Sequence, residues 1–353
     1  MFLTAPLSLS DVVADGFLTQ AGFDDALKQR GTVTKTEFNP RLDGYEVVLT
    51  TDDSKTHVFS SHTVAYIDQG RTTWKWKDEP QFRFLGTWPS DDMIKAARTL
   101  AGNGPCFLVP QPDGSFDVAV LDADQLPKLH VHTALCVGLA NMPATMELER
   151  ALTAFGATNN IGMTTADDKV TFDEGTVVDL TTRRVVSSLT FANVVADAFY
   201  FSTEHQMYFE GRYPGAPVMF NPVTNSVIVA DSFAAHGLIV GRIKDGVWQW
   251  EHNASLRKFA LDYAILEFLR DRTPVAEAAA RGFDCATKRI LKHWTHVFVR
   301  LDDDTTALVI MDAHQLRLPP ASPEATLAVM ATPLPEGVDK QRAKISYHQL
   351  RNS

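Results

Sequence analysis

The sequence predicts an α+β protein made of two tandem related domains, each an N-terminal helix, an antiparallel β-meander and covering helices. Three observations predict it. The stretch "FSSHTVAYIDQGRTTWKW" at residues 59–76 returns as "FAAHGLIVGRIKDGVWQW" at 233–250, which sets Phe59, His62, Trp74 and Trp76 on Phe233, His236, Trp248 and Trp250 without a gap. Four further pairs follow in the same order: "VVADGF" with "VVADAF", "FNP" with "FNP", "LDADQL" with "MDAHQL", and "TALCVGLA" with "ATLAVMAT". Between these blocks, short alternating runs bounded by turn residues adjoin segments of helical period, the mixed signature of strands and helices.

The repeats divide the chain into a first copy at 1–143, a structured connector of helix and strands at 144–190, a second copy at 191–335 and a polar, surface-lying tail at 336–353. Changes in spacing between paired blocks locate two insertions. One lies in copy one within "RLDGYEVVLTTDDSKTHV", the other in copy two around "RDRTPVAEAAARGFDCATKR", and both are expected in loops or lengthened element ends.

Each copy opens with a helix. In copy one Ser10 serves as N-cap and Asp11 places a negative charge in the first turn, while Val13, Phe17 and Ala21 keep helical spacing and Gly22 and Gly31 limit the run. Strands come next, "TVTKTEF" and "YEVVLTT" in copy one, "PVMF" and "SVIVA" in copy two, separated by turn residues such as Asp43-Gly44 and Asn225-Ser226. The meander closes on "TTWKWK" and "VWQWE", where Trp74 and Trp76, or Trp248 and Trp250, stand two apart and so share one face of a strand. Large aromatics there anchor a sheet against a helix; alternatively they floor a ligand pocket or present a partner surface.

A helix follows in each copy. In "PSDDMIKAARTLAGNG" Ser90 caps, two acids fill the first turn and Gly102 ends it; "NASLRKFALDYAILEFLRDRTP" reads as a longer helix before Pro274. Then come a hairpin, "CFLVPQPDGSFDVAVLDA" or "HVFVRLDDDTTALVIMDA", and a short apolar helix that Ser322-Pro323-Glu324 starts in copy two. In the connector, "TMELERALTAFGA" reads as a helix and "VTFDEGTVVDLTTRRVVSS" as strands.

At the W-x-W strand and the helix after it, the chain resembles a bacterial family of unknown function whose domains carry a Trp-rich strand of the form W-x-W-x-W-x-N. "GRIKDGVWQWEHNAS" supplies Gly241, Trp248, Trp250 and Asn253, with His252 where a third aromatic would stand; "DQGRTTWKWKDEP" supplies Trp74 and Trp76 and no Asn. The resemblance implies an α+β domain with no assigned activity and no catalytic residues to transfer.

Composition narrows the partners. A formal net charge of −10 with no Lys/Arg stripe repels phosphate backbones and anionic lipid, so nucleic acid and membrane surfaces are not expected as partners. No run of apolar residues is long enough to span a bilayer, and "MFLTAPLSLSDVV" lacks the basic n-region of a signal peptide, which points to the cytoplasm. Cys106, Cys136 and Cys285 are odd in number and free of C-x-x-C spacing, against a disulfide framework; the apolar runs around Cys106 and Cys136 favour inert thiols.

No G-x-S-x-G elbow, P-loop or dinucleotide fingerprint is present. "LHVH" puts His130 and His132 two apart, facing one way on a strand, and "HWTH" puts His293 and His296 at helical spacing, but neither has an acid at ligand distance in sequence. Neither a metal nor another cofactor is expected. The polar residues common to both copies are His62/His236, Asp15/Asp197, Asn39/Asn221, Asp122/Asp312 and Gln125/Gln315. His62 with Asp122 and His236 with Asp312 are the candidate acid–base pairs, and Trp74, Trp76, Trp248 and Trp250 the candidate ligand or partner contacts. The expectation is a non-enzymatic module that binds a protein or small molecule. The alternative is an enzyme acting on an apolar or acyl-type substrate in a cleft between the copies.

Overall fold

The computed structural model describes residues 4–77, 82, 85–230 and 232–352. The chain forms two compact units, Met1–Val186 and Ser187–Ser353. Each is mixed α+β with antiparallel sheets, the class the sequence predicts.

In the first unit α1 (Leu9–Lys28) begins at a capping box: Ser8 accepts from the Asp11 N–H while the Asp11 carboxylate takes the Ser8 N–H. The cap is therefore Ser8 rather than Ser10, because Asp11 at the third helical position reciprocates only with the residue three before it. The helix also runs through Gly22. A Cβ there would come within 2.8 Å of the Ala134 methyl, so this glycine marks a close helix approach and not a stop.

Strands β1 (Val33–Pro40), β2 (Gly44–Thr51), β3 (Thr56–Ile67) and β4 (Trp74–Trp76) form the meander. After it come α2 (Asp91–Leu100), capped by Ser90 as the sequence predicts, then β5 (Cys106–Pro110), β6 (Phe116–Leu121), a 3-10 turn at Ala123–Gln125, and α3 (Val131–Asn141). The sheet order is β1-β2-β3-β6-β5, with β4 on the far end of β3. Helix α4 (Leu148–Thr158) packs on α1, and β7 (Met163–Ala166), β8 (Lys169–Phe172), β9 (Val177–Asp179) and β10 (Arg184–Val185) make a small separate sheet.

The second unit repeats the sequence of elements. Helix α5 (Phe191–Arg212) has its own capping box, Thr190 with Asn193. Then come β11 (Val218–Asn221), β12 (Ser226–Val229), β13 (Phe233–Lys244), β14 (Val247–Trp250) and α6 (Ala254–Asp262). A 3-10 turn at Leu266–Leu269, β15 (Thr273–Pro274), α7 (Val275–Ala280), α8 (Phe283–Ala286) and α9 (Lys288–Leu291) lead to β16 (Thr295–Arg300) and β17 (Thr305–Asp312). A 3-10 turn at His314–Leu316, α10 (Pro323–Met330) and α11 (Lys340–Arg351) finish the chain. The sheet order β11-β12-β13-β17-β16, with β14 on β13 and β15 on β14, matches that of the first unit strand for strand apart from β15.

Each main sheet packs on opposite faces at its two ends, because burial alternates along β3 and β13 and a bulge after Thr63 or Ile239 switches the inward face. In unit one Val47, Leu49, Phe59, Ala119 and Leu121 meet Phe23 from the end of α1, while Ala65, Trp74 and Val118 meet Val12, Val13 and Met93. Unit two does the same: Val227, Val229 and Val309 meet Phe209, while Val240, Trp248 and Leu308 meet Val194 and Val195. One long helix thus serves two cores in each unit, its two halves packing on different faces.

Several sequence expectations need correction. The segment 253–274 is not one helix: α6 ends at Asp262, Ala264 takes a left-handed φ of 48°, and a 3-10 turn follows. Ile265, Leu266, Glu267 and Phe268 are all buried, which an α-helix with only one inward stripe does not allow. The insertion around 270–289 is no loop but β15, α7 and α8, and its Phe283 stacks on Trp250 at 5.0 Å. His130 and His132 stand at the start of α3 rather than on a strand, and His293 and His296 in a turn and on β16 rather than on a helix. The polar tail is helix α11, whose Ala343, Ser346 and Tyr347 are buried against α5.

Register supplies the finest correction. Ala65 pairs with Trp76 and Val118 and follows a bulge after Thr63; Gly241 pairs with Trp250 and Leu308 and follows a bulge after Ile239. The sheets therefore put Gly241 in the place of Ala65, two residues out from the gapless alignment. His62 then corresponds to Leu238, and His236 to Ser60. A slip of two keeps every side chain on its face, which is why the sequence likeness survives it. The loop lengths absorb the difference: residues 68–73 join β3 to β4, held by the Asp68 carboxylate on the Thr72 N–H at 2.7 Å, while Asp245-Gly246 alone join β13 to β14.

Candidate functional site

His62 Nδ1 lies 3.0 Å from Asp122 Oδ1, so one candidate acid–base pair does form, at the junction of β3 and the end of β6. Its side chains are 41% and 35% exposed. The second does not. His236 is exposed and faces the edge of His293 at 6.2 Å, and its backbone, not its ring, is what pairs with Asp312. The two-residue slip is the cause. Gln125 accepts from the Ser60 N–H at 2.6 Å, and Asn221 opens a turn by accepting from Val223 N–H at 2.9 Å, as a residue before proline suits; Asn39 instead bonds Glu46 across the strands.

The tryptophans are core. Trp74 is 1% and Trp248 3% exposed. Each sets its ring edge-on to the partly buried neighbour two residues on, at 5.2 Å for Trp76 and 5.1 Å for Trp250. Trp250 Nε1 donates to the Glu267 carbonyl at 2.8 Å; among the described residues the indole nitrogens of Trp74, Trp76 and Trp248 have no acceptor.

Asp15 and Asp197 hold the same kind of partner in both units. Arg150 Nη2 on α4 reaches Asp15 Oδ2 at 2.7 Å, and Arg342 on α11 grips Asp197 through Nε and Nη2, both at 2.7 Å. Helices α4 and α11 thus occupy matching places, each tied by an arginine to the first helix of its unit. Neither arginine stood out in the sequence, since the segments around them show no visible likeness. Burial outweighs Arg150 and raises the Asp15 carboxyl above its ordinary range, and among the described residues its Oδ1 has no hydrogen-bond partner.

A cluster of perturbed ionisable groups gathers in the second unit. Lys288 is 0% exposed; its Nζ lies 2.6 Å from Ser202 Oγ and 2.6 Å from His296 Nδ1. Burial pushes this amine down to about 8, against a weaker opposing pull from Asp284. His296 falls well below its ordinary value through burial and the nearby Lys288 charge, so it is the neutral acceptor of the Lys288 proton. His205, half-buried between Phe201 and Trp294, is lowered to about 4 by desolvation and then by Lys288 and Arg351. Nearby, Tyr347 donates to Glu204 Oε2 at 3.0 Å, with Arg351 Nε also 3.0 Å from that oxygen. A hydroxyl, a lowered amine and a neutral imidazole in contact are the parts of proton-transfer chemistry. Ser202 is only 4% exposed, however, which leaves a substrate no approach to its oxygen. No sequence pattern announced the cluster: its members lie on α5, α9 and β16 and meet only through packing.

Immediately next to it on the chain, Arg289 points outward. It donates to Ser346 Oγ and, at 3.2 Å, to the Asp197 carbonyl. Asn193, Asp197, Arg289, Arg342, Ser346 and Gln349 line an open cleft of about 570 Å³ between α5 and α11. Arg289 and Arg342 are 40% and 39% exposed there.

All three cysteines are free thiols, and burial raises Cys106 and Cys136 to about 12 and Cys285 further. Among the described residues no group of three His, Cys, Asp or Glu side chains is placed to hold a metal ion, and no helix is long and apolar enough to cross a membrane.

Residues 192–313 match a family of unknown function, DUF6882. That span runs from α5 through β17 and includes Asp197, the Lys288 cluster and Trp248 with Trp250. No curated protein matches the chain, and no solved structure does.

Proposed function

We propose that the chain arose by duplication of one α+β unit and works as a non-enzymatic binding protein, with the α5–α11 cleft as its ligand or partner site. The observation that carries the binding reading is a division of labour in the second unit. Groups capable of chemistry, Ser202, Lys288 and His296, are packed away, while the groups that reach solvent in the cleft are chiefly the guanidiniums of Arg289 and Arg342 and side-chain amides, which recognise rather than react. Support for duplication comes from the equal strand orders, the two capping boxes and the two Asp–Arg ties; on this reading the copied unit extends past residue 143 to include α4, whose counterpart is α11. Buried free thiols suit a reducing compartment, and we assign the protein to the cytoplasm.

The test is chemical. A serine-directed fluorophosphonate probe and a series of p-nitrophenyl esters are offered to the intact protein and to Ser202→Ala. Neither labelling nor ester turnover is expected from either protein. Turnover or labelling that Ser202→Ala abolishes overturns the binding reading in favour of an acyl-processing enzyme.

A further inference from the structure

The two Asp–Arg ties differ in how far they are covered, and that difference indicates what the cleft accepts. In unit one the pair is covered, with Arg150 and Asp15 only 10% and 13% exposed. The cover is the chain's own leading segment: Arg150 Nη2 donates to the Thr4 carbonyl at 3.3 Å, and that segment runs on through the Leu7 N–H, bonded to Asp11 Oδ2 at 2.8 Å, into the Ser8 cap. A stretch of non-helical backbone thus offers a carbonyl to the guanidinium.

In unit two the caps coincide, Thr190 for Ser8 and Asn193 for Asp11, yet the chain before Thr190 goes elsewhere. The Ser187 hydroxyl donates to the Tyr263 carbonyl, and Leu189 packs into the core around Trp248. Among the described residues the Arg342 side chain hydrogen-bonds Asp197 alone, and a second guanidinium, Arg289, stands beside it. The cleft is the place that residues 4–8 fill in the first unit, here open.

We propose that this cleft binds an extended polypeptide segment from a partner protein, whose backbone carbonyls take the free N–H groups of Arg342 and Arg289 as the Thr4 carbonyl takes that of Arg150. This rests on the binding reading above and specifies its partner. Charge favours an uncharged stretch: Arg289 and Arg342 are balanced within the cleft by Asp197 and Asp339, and the chain as a whole carries −10. Asn193 and Gln349 supply further backbone-directed hydrogen bonds, and Ile345, 49% exposed, offers one apolar contact beside them.

The experiment selects linear 12-residue peptides from a phage-displayed library on the full-length protein and measures the affinity of synthetic versions by fluorescence polarisation. Arg289→Gln and Arg342→Gln are each expected to weaken selected peptides about tenfold to a hundredfold, the loss of a charge-assisted hydrogen bond. Arg300→Gln, an equal charge change at an exposed β16 site, is expected to leave them unchanged. Circular dichroism confirms folding, and Arg289→Gln decides the matter if Arg342→Gln unfolds, because Arg289 makes no carboxylate hydrogen bond. Failure to select any peptide, selected peptides indifferent to both arginines, or complete displacement by millimolar acetate or phosphate would overturn the proposal; none of these results bears on the esterase test, so the two readings fail separately.

Discussion

His205 makes the second unit acid-labile by a calculable amount. Its ring lies edge-on to Phe201 at 4.8 Å and is stacked with Trp294, and burial with the charges of Lys288 and Arg351 lowers it from 6.5 to about 4. A histidine so lowered leaves the folded state with fewer bound protons than the unfolded state between those two pH values. Stability is therefore full above pH 6.5, falls as pH drops towards 4, and is flat again below. The total, at 1.36 kcal/mol per unit, is about 3 kcal/mol. His205→Phe keeps an aromatic ring in the pocket and removes the proton site. The assay is urea unfolding at pH 7.5, 6.5, 5.5 and 4.5, read by hydrogen exchange of peptides from α5 and β16. The variant is expected to gain on the wild type by about 3 kcal/mol from the highest pH to the lowest, while the His296 contribution, in the same direction, is common to both proteins and cancels. A difference that stays constant across the series refutes the half-buried, neutral state of His205.

Three shorter predictions concern packing and reactivity. Trp74→Ala and Trp248→Ala each remove a buried indole and are expected to cost about 3–5 kcal/mol by urea unfolding; a small loss would remove both from the core. Gly241→Ala places a Cβ 2.3 Å from Trp248 Cζ2 and should destabilise the second unit by about 1–3 kcal/mol, whereas the corresponding Ala65 already carries that methyl; a thermal scan showing no change contradicts the register assigned to β13. The thiols, raised by burial, should react with a disulfide reagent at pH 8 only after denaturation, and fast labelling of the native protein would contradict their burial.

Much of the local structure was legible in the sequence. Ser90 and Ser322 cap their helices because a side-chain oxygen near its own backbone needs no distant partner. The alternation around Trp74 and Trp248 revealed which face turns inward, and the apolar neighbours of Cys106 and Cys136 pointed to inert thiols, which burial raises to about 12. Helix length was less legible where tertiary contacts override periodicity, as at Ala264, and the site least of all. Its residues are ordinary in sequence: Arg342 lies in a segment read as a surface tail, and Lys288 in one read as an insertion.

By itself, then, the amino-acid order determined the α+β class, the order of elements, several helix caps and the inward tryptophan faces, all of which depend on neighbours within a turn or a strand. Tertiary structure alone decided the two-residue slip that separates His236 from any acid–base pairing, the arginine ties of α4 and α11 to distant aspartates, and the sealing of Lys288 between Ser202 and His296. The physical reason is that strand register and buried ion pairs are set by contacts between residues far apart in the chain, whose energies exceed local preference and leave no periodic trace in it.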